Sequence, residues 1–419
     1  MKNTMKNYDQ IKVALVSPPQ HSLSNPLMAE PLGLMYIEGV LVDLGVEVEM
    51  VDMSFRNDLP VADVYGFFAC TLHFPKCVEY AKRVKDAYTI IGGPHASALP
   101  QETKEFFDAV VVGPGENVIV DILDDYLNQR KGGIFQKEII EIDSIPIPPR
   151  SIAKKIKYQV FPGSPISASI ITSRACPYKC SFCASNAIWG RKVLYHSVDR
   201  VIDEIKYLID TYDIRHFKFV DDIFTLKKAR FSKFSERLVE LNIQWFCDTR
   251  VDSVSEDILE QMLRCGCSYV DLGIESVSDV VLDKIHKKQT KQKMKEAIAK
   301  IKGKGLKVKL YIIYGLPFEP EDIVQQTIDF IEETQPDHVS LFTLVPYPGT
   351  DIWNNPDKYN IKSINKDFSY YQHAVGGVKS EQTWLPSIEY FDRTKEKMRK
   401  ERNILKNFSM EWNRKNAGF

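Results

Sequence analysis

Three cysteines, Cys176, Cys180 and Cys183, sit in the stretch Thr-Ser-Arg-Ala-Cys-Pro-Tyr-Lys-Cys-Ser-Phe-Cys (residues 172–183), with the spacing Cys-x3-Cys-x2-Cys. Soft thiolates this close together on one loop suit an iron–sulfur cluster or zinc. A four-iron cluster ordinarily takes four cysteines, and this stretch supplies three. The missing ligand is either a fault or a design, because an iron without a protein thiolate is free to bind and activate a substrate. Zinc on the same thiolates plus one of the eight histidines is the competing reading. The remaining cysteines, Cys70, Cys77, Cys247, Cys265 and Cys267, form no second group of either spacing and read as buried free thiols, so no auxiliary cluster is expected.

The loop needs elements to hold it. Residues 166–172 form a β-run leading into it, and strands are expected over 216–220, 243–248, 269–273, 307–314 and 338–344. Helical spacing covers 198–212, 228–241, 255–265, 278–302 and 321–334. Six strands with five intervening helices fit a partial (β/α)6 barrel, in which functional groups gather where strands end. Asp221 and Asp222, Asp248 and Arg250, Glu275 and the run Gly315-Leu316-Pro317 all fall at such ends.

Ahead of the barrel, strands are expected over 11–17, 46–51, 63–69, 89–92 and 110–112, with helices over 31–44, 77–86 and 118–127. This alternation indicates an α/β, doubly wound, Rossmann-like parallel sheet that binds ligands at the carboxyl ends of its strands. The loops at Pro18, Gly93 and Gly113 then share one rim. Pro146, Pro148 and Pro149 open an extended connection, and the basic run 150–157 reads as its solvated face. After a turn cluster at 346–350, residues 359–382 form either a lid or a small packed subdomain, with a break at Gly376-Gly377. A basic amphipathic helix over 390–407 reads as a solvated terminal helix. The expected organisation is a Rossmann-like domain over 1–145, a linker over 146–165, the barrel over 166–345 and a small helical C-terminal region over 346–419.

Lys plus Arg number 55 and Asp plus Glu 56, a balance that gives no electrostatic reason to expect nucleic acid or an anionic membrane. The polar first ten residues predict no signal peptide, and no apolar run approaches the ~20 residues of a membrane helix. Eight cysteines without a secretion signal point to a reducing, cytoplasmic setting.

The cysteine loop, with Phe182 just before its third cysteine, resembles the signature of the radical S-adenosylmethionine (SAM) family. That resemblance implies that three thiolates hold three irons of a 4Fe–4S cluster and that the fourth iron chelates SAM. An electron from the cluster then cleaves SAM to methionine and a 5′-deoxyadenosyl radical. By analogy Asp222 is the first choice to bond the SAM amino group, the alternative being that one of the two aspartates caps the next helix. Arg250 would take the methionyl carboxylate, or form a structural ion pair. In Leu-Gly-Ile-Glu-Ser (272–276), typical of this branch, Glu275 would accept the ribose hydroxyls or else pair with Arg250. Gly315 and Leu316 would pass their backbone against adenine.

The order Gly-Gly-Pro-His-Ala (92–96), then Gly-x-Gly-Glu (113–116), resembles the cobalamin-binding domain that precedes many radical SAM domains. Gly93 and His95 would then lie beside the corrin, the alternative for His95 being a loop histidine bonded to its own backbone. No Asp-x-His-x-x-Gly occurs, so no histidine is expected as the lower axial base. Phe67-Phe68 stands where the family often has a small or hydroxylated residue, and such rings could fill the space for the nucleotide tail. The resemblance therefore implies hydrogen abstraction from a carbon of a small-molecule or natural-product substrate, with a reductant such as flavodoxin or ferredoxin. Bound cobalamin would make the outcome C-methylation. An empty domain would leave dehydration, epimerisation or rearrangement. A non-catalytic iron–sulfur module is the third reading, and Arg250, Glu275 and Gly315 count against it.

Overall fold

A computed structural model describes residues 8–20, 23, 25–129, 131–139, 141–161, 163–164, 166–371 and 385–416. The chain divides into two compact units, Met1–His21 with Pro31–Ile156 and Ala187–Trp189, and Ser22–Glu30 with Lys157–Asn186 and Gly190–Phe419.

In the first unit, β1 (Lys12–Ser17), β2 (Glu47–Asp52), β3 (Val64–Phe68), β4 (Tyr88–Gly92), β5 (Ala109–Val112) and β6 (Gly133–Gln136) form a parallel sheet in the order β2-β1-β3-β4-β5-β6. Strand β6 escapes a reading by apolar runs because Gly-Ile-Phe-Gln is short and half exposed at the sheet edge. The helices are α1 (Leu32–Asp43), α2 (Phe74–Arg83), α3 (Pro94–Ala98), α4 (Pro100–Lys104) and α5 (Ile119–Leu127). Helix α1 stops at Gly45, whose φ of +78° suits a residue without a side chain.

The second unit carries the barrel. Strand β7 (Ala168–Ile170) leads into an antiparallel ribbon of β8 (Ser173–Arg174) and β9 (Leu194–Tyr195), which brackets the cysteine loop and α6 (Ser185–Trp189). Next come α7 (Val198–Tyr212), β10 (His216–Phe219), α8 (Lys228–Val239), β11 (Gln244–Thr249), α9 (Glu256–Arg264) and β12 (Cys267–Glu275). They are followed by α10 (Asp279–Lys284), α11 (Lys291–Gly303), β13 (Lys307–Tyr314), α12 (Ile323–Thr334) and β14 (His338–Thr343). The six long-range strands run parallel in the order β14-β13-β12-β11-β10-β7, an open barrel with helices outside. The single helix expected over 278–302 is two, because His286 and Lys288 take left-handed backbone between them (φ +58° and +54°).

The C-terminal region comprises α13 (Asp351–Asn354), an antiparallel pair of β15 (Ile361–Ile364) and β16 (Ile388–Tyr390), and α14 (Lys395–Lys415). Helix α14 differs from its expected solvated character. It runs on to residue 415, buries Met398 and Leu405 in the barrel core, and bonds the open edge of β14 through Asn413, whose side chain pairs with Val339 N (2.9 Å) and O (2.8 Å). Periodicity finds such a helix, but only the partner strand reveals which face is covered. The expected break at Gly376-Gly377, and all of 372–382, lie outside the described residues. Tyr359 and Tyr371 are fully buried, which fits packing rather than a lid for that part. Among the described residues no helix is long and apolar enough to cross a membrane.

Candidate functional site

The cysteine loop is held from several sides. Asp221, at the end of β10, is 2% exposed and accepts hydrogen bonds from Thr172 N, Thr172 Oγ1 and Ser173 Oγ, each at 2.6 Å. Burial pushes its pKa up while these donors pull it down. It thus fixes the chain just before the loop. Neither Asp221 nor Asp222 caps α8, whose N-cap is Lys227 without a side-chain bond, so the capping alternative does not hold. Ala175 turns the backbone with φ +77°, a conformation costly for a residue with a Cβ. Beyond it, Cys183 N donates to Cys180 O (3.1 Å), Ser181 N to Ile285 O (3.0 Å) and Ile352 N to Ser181 O (3.1 Å).

Arg250 is expected as a carboxylate ligand, but the protein itself occupies its guanidinium. It lies 3.7 Å from the centre of the Tyr178 ring, donates from Nε to Asp252 Oδ1 (3.0 Å) and from Nη2 to Lys287 O (2.7 Å), and places Nη1 3.9 Å from Cys180 Sγ. Tyr178 OH completes the clamp on Asp252 Oδ2 (2.8 Å). Arg250 thus forms an ion pair with Asp252 and lies against the loop beside Cys180.

Glu275 ends β12 with φ +62° and pairs with Lys287 Nζ at 2.7 Å, not with Arg250. Gly273 explains the local sequence: a Cβ there would stand 2.6 Å from Glu275 Oε1 and 3.2 Å from Lys287 Nζ. Lys287 comes from the turn between α10 and α11, and the sequence reading missed it; a basic run interrupting a helical pattern is the only signal. Glu275 lines a cavity of about 290 Å³ together with Phe182, Tyr311, Ile313, Phe342 and Tyr347. Phe182 also packs against the barrel core.

Asp222 is exposed and accepts from Ser185 Oγ (2.7 Å), two residues past Cys183. Burial, with the Asp222 charge adding, raises the thiol pKa of both Cys176 and Cys183, the latter to about 12. Bound cationic iron would reverse this balance and keep the thiolates ionised. Among the described residues no three of His, Cys, Asp and Glu converge on a single ion. Thiolates that each take a different iron of a cluster do not need to, so the donor set fits a cluster with one iron left over.

Gly315 and Leu316 are bonded within the barrel. Gly315 N and Leu316 N donate to Glu319 Oε1 (2.9 and 3.1 Å), and Gly315 O accepts from Tyr390 OH (2.8 Å). A Cβ on Gly315 would approach Met398 Cε at 3.2 Å, so the absent side chain makes room for α14. Glu319 is in turn paired with Arg393.

In the first unit, His95 is fully buried on α3 with its ring stacked 4.0 Å from Phe74, and burial lowers its pKa to about 4. It packs in the core of the unit just past the end of β4. Gly93 has φ +105°, and a Cβ there would meet Ala69 O at 2.9 Å and the Phe68 ring at 3.0 Å. Phe67 and Phe68 diverge, as successive strand residues must. Phe67 packs inward against Phe107, while Phe68 alone borders Gly33 and Gly93.

Comparison with known families places two matches on these units. The radical SAM superfamily matches residues 170–331 and the B12 binding domain residues 26–123. An uncharacterised methyltransferase of Pyrococcus horikoshii is 32% identical over 382 residues, covering 82% of this chain and 82% of that protein. The anaerobic magnesium-protoporphyrin IX monomethyl ester cyclase of Rubrivivax gelatinosus is 27% identical, over 85% of this chain and 72% of that one. Among solved structures, the radical SAM methyltransferase TsrM of Kitasatospora setae, with cobalamin and a 4Fe–4S cluster bound, superposes with a TM-score of 0.64 at 18% identity, over 81% of this chain and 73% of that chain. The cobalamin-dependent SAM radical enzyme OxsB, with aqua-cobalamin bound, gives 0.64 at 19% identity, over 88% and 57%. At these identities the structural likeness is one of fold.

Proposed function

Because the chain belongs to the radical SAM superfamily and carries a B12 binding domain ahead of its barrel, we propose that it is a cobalamin-dependent radical SAM methyltransferase acting on a carbon of a small molecule. The observation that carries this reading is the cavity shared by Phe182, the neighbour of Cys183, and Glu275. It places a carboxylate and an aromatic wall beside a three-thiol loop.

Cys176, Cys180 and Cys183 would hold the 4Fe–4S cluster, and Asp222 and Glu275 the amino group and ribose of SAM. When bound, the cluster and SAM supply a radical that removes hydrogen from the substrate carbon, and cobalamin supplies the methyl group. The chain's own residues do the positioning. Asp221 and Arg250 fix the two sides of the loop, the Arg250 guanidinium standing 3.9 Å from Cys180 Sγ. Lys287 holds the Glu275 carboxylate in one place, leaving its remaining lone pairs to accept from hydroxyls. Phe182, Ile313 and Phe342 give the cavity an apolar wall. A flavodoxin or ferredoxin would deliver the electron.

Anaerobically reconstituted protein is expected to carry about four irons per chain and to release 5′-deoxyadenosine from SAM under reduction. A Cys180→Ala variant should lose both, and its continued release of 5′-deoxyadenosine would defeat the proposal. A second reading, radical chemistry without methyl transfer, draws on Phe68, whose ring occupies space beside Gly33 and Gly93. Methyl transfer from labelled SAM to product separates the two.

A further inference from the structure

Below the cavity, the interior of the barrel is polar. Register brings Asp248, Asp271, Lys309 and His338 side by side across β11, β12, β13 and β14. Lys218 Nζ lies 3.5 Å from Asp248 Oδ2, and Lys309 Nζ 3.6 Å from Asp271 Oδ2. Asp271 is fully buried, and its Oδ1 finds no hydrogen-bond partner among the described residues. Parallel barrels ordinarily fill such layers with branched apolar side chains, so a charged layer here requires a different explanation.

Tyr311 joins this layer to the cavity. Its hydroxyl donates to Asp271 Oδ2 at 2.5 Å, while the residue also lines the cavity with Phe182 and Glu275. Burial and the neighbouring carboxylates hold the phenol far above its ordinary pKa, so it keeps its proton. A phenol has one proton to give, and that proton is given to Asp271. Toward the cavity Tyr311 therefore offers only lone pairs, made more basic by the carboxylate behind them. At about 290 Å³ the cavity is at the low end for small-molecule sites, and Tyr311 shares it with Glu275, the residue proposed for the ribose of SAM.

We propose that Tyr311, oriented by Asp271, binds the adenosyl group of SAM by accepting a hydrogen bond from one of its N–H or O–H donors. This rests on the radical SAM reading of the cavity. Tyr311 thereby sets SAM affinity, and Asp271 is a positioning residue acting through it.

The test is equilibrium binding to the anaerobically reconstituted full chain, with cluster absorbance recorded for each variant. Tyr311→Phe should weaken SAM about tenfold, the loss of one buried hydrogen bond, with cluster content unchanged; Asp271→Asn should fall between it and wild type. Adenosine, N6,N6-dimethyladenosine, 2′-deoxyadenosine and 3′-deoxyadenosine are then measured as competitors. The analogue lacking the recognised donor should bind wild type about tenfold more weakly than adenosine, and the two should bind Tyr311→Phe alike. Equal SAM affinity of Tyr311→Phe and wild type overturns the inference, as does an equal penalty for all three analogues relative to adenosine. Should Tyr311→Phe not fold, wild type alone decides, since indifference to every deleted donor overturns it. A wild-type protein with an intact cluster that binds no SAM overturns the radical SAM reading as well.

Discussion

Arg250 and Glu275 carry the charges expected of ligand-binding residues, yet each is already paired inside the protein, and the two pairings have different consequences. Arg250 has given its donors to Asp252, a backbone carbonyl and the Tyr178 ring. Removing it should destabilise the loop itself. Arg250→Met is expected to cost about 2 kcal/mol in urea unfolding of the apoprotein and to lower iron and sulfide content. Arg250→Lys should not restore loading, because an ammonium cannot reproduce the planar stack with two directed bonds. Full iron content in Arg250→Met would remove the bracing role. His95 gives a pH signature of the first unit. Its pKa falls from 6.5 to about 4 on burial. A depressed folded-state pKa contributes stability that is present above 6.5 and is lost as pH falls through 4. The apoprotein should therefore lose about 3 kcal/mol across that window, and His95→Leu should flatten this part of the stability curve. An unchanged acid profile in the variant would show that other groups govern it.

At the scale of elements, the open edge of the barrel sheet needs an answer, since an uncovered strand invites pairing with another chain. Helix α14 supplies it. Asn413 mimics a backbone unit by bonding both Val339 N and Val339 O, and Trp412 Nε1 reaches Pro336 O at 3.0 Å. Asn413→Ala is expected to destabilise the protein by about 1–2 kcal/mol and to raise its tendency to aggregate on heating, read by light scattering. Unaltered melting and scattering would mean that the edge is protected by other residues. The same region seals the end of β13, where Gly315 meets Met398 and Glu319 meets Arg393. The C-terminal segment is thus part of the barrel wall and not an appendage to it.

For the whole molecule, the decisive question is whether the first unit takes a corrinoid. His95 lies in its core and Phe67 packs against Phe107. Phe68 alone contests the space beside Gly33 and Gly93. Wild type incubated with hydroxocobalamin should retain it through gel filtration, and Phe68→Ala should retain at least as much. Failure of both to retain the cofactor would remove methyl transfer and leave the other radical outcomes.

Much of this was legible in the chain itself. Cysteine spacing, apolar periodicity and glycine-marked strand ends are local properties, so the three-thiol loop, the two parallel α/β sheets and the placement of Glu275 at a strand end followed from residues 11–130 and 166–345 directly. Partners distant in sequence are a different matter. That Arg250 would clamp Tyr178 and Asp252, that Lys287 would answer Glu275, that Gly315 would open toward Met398, and that Tyr311 would hold Asp271 beneath the cavity depended on which side chains the folded backbone brought within 4 Å. A charged residue at a strand end has the same local signature whether it awaits a ligand or already has a neighbour. Only the tertiary structure, by filling or leaving open the space around it, decided between them.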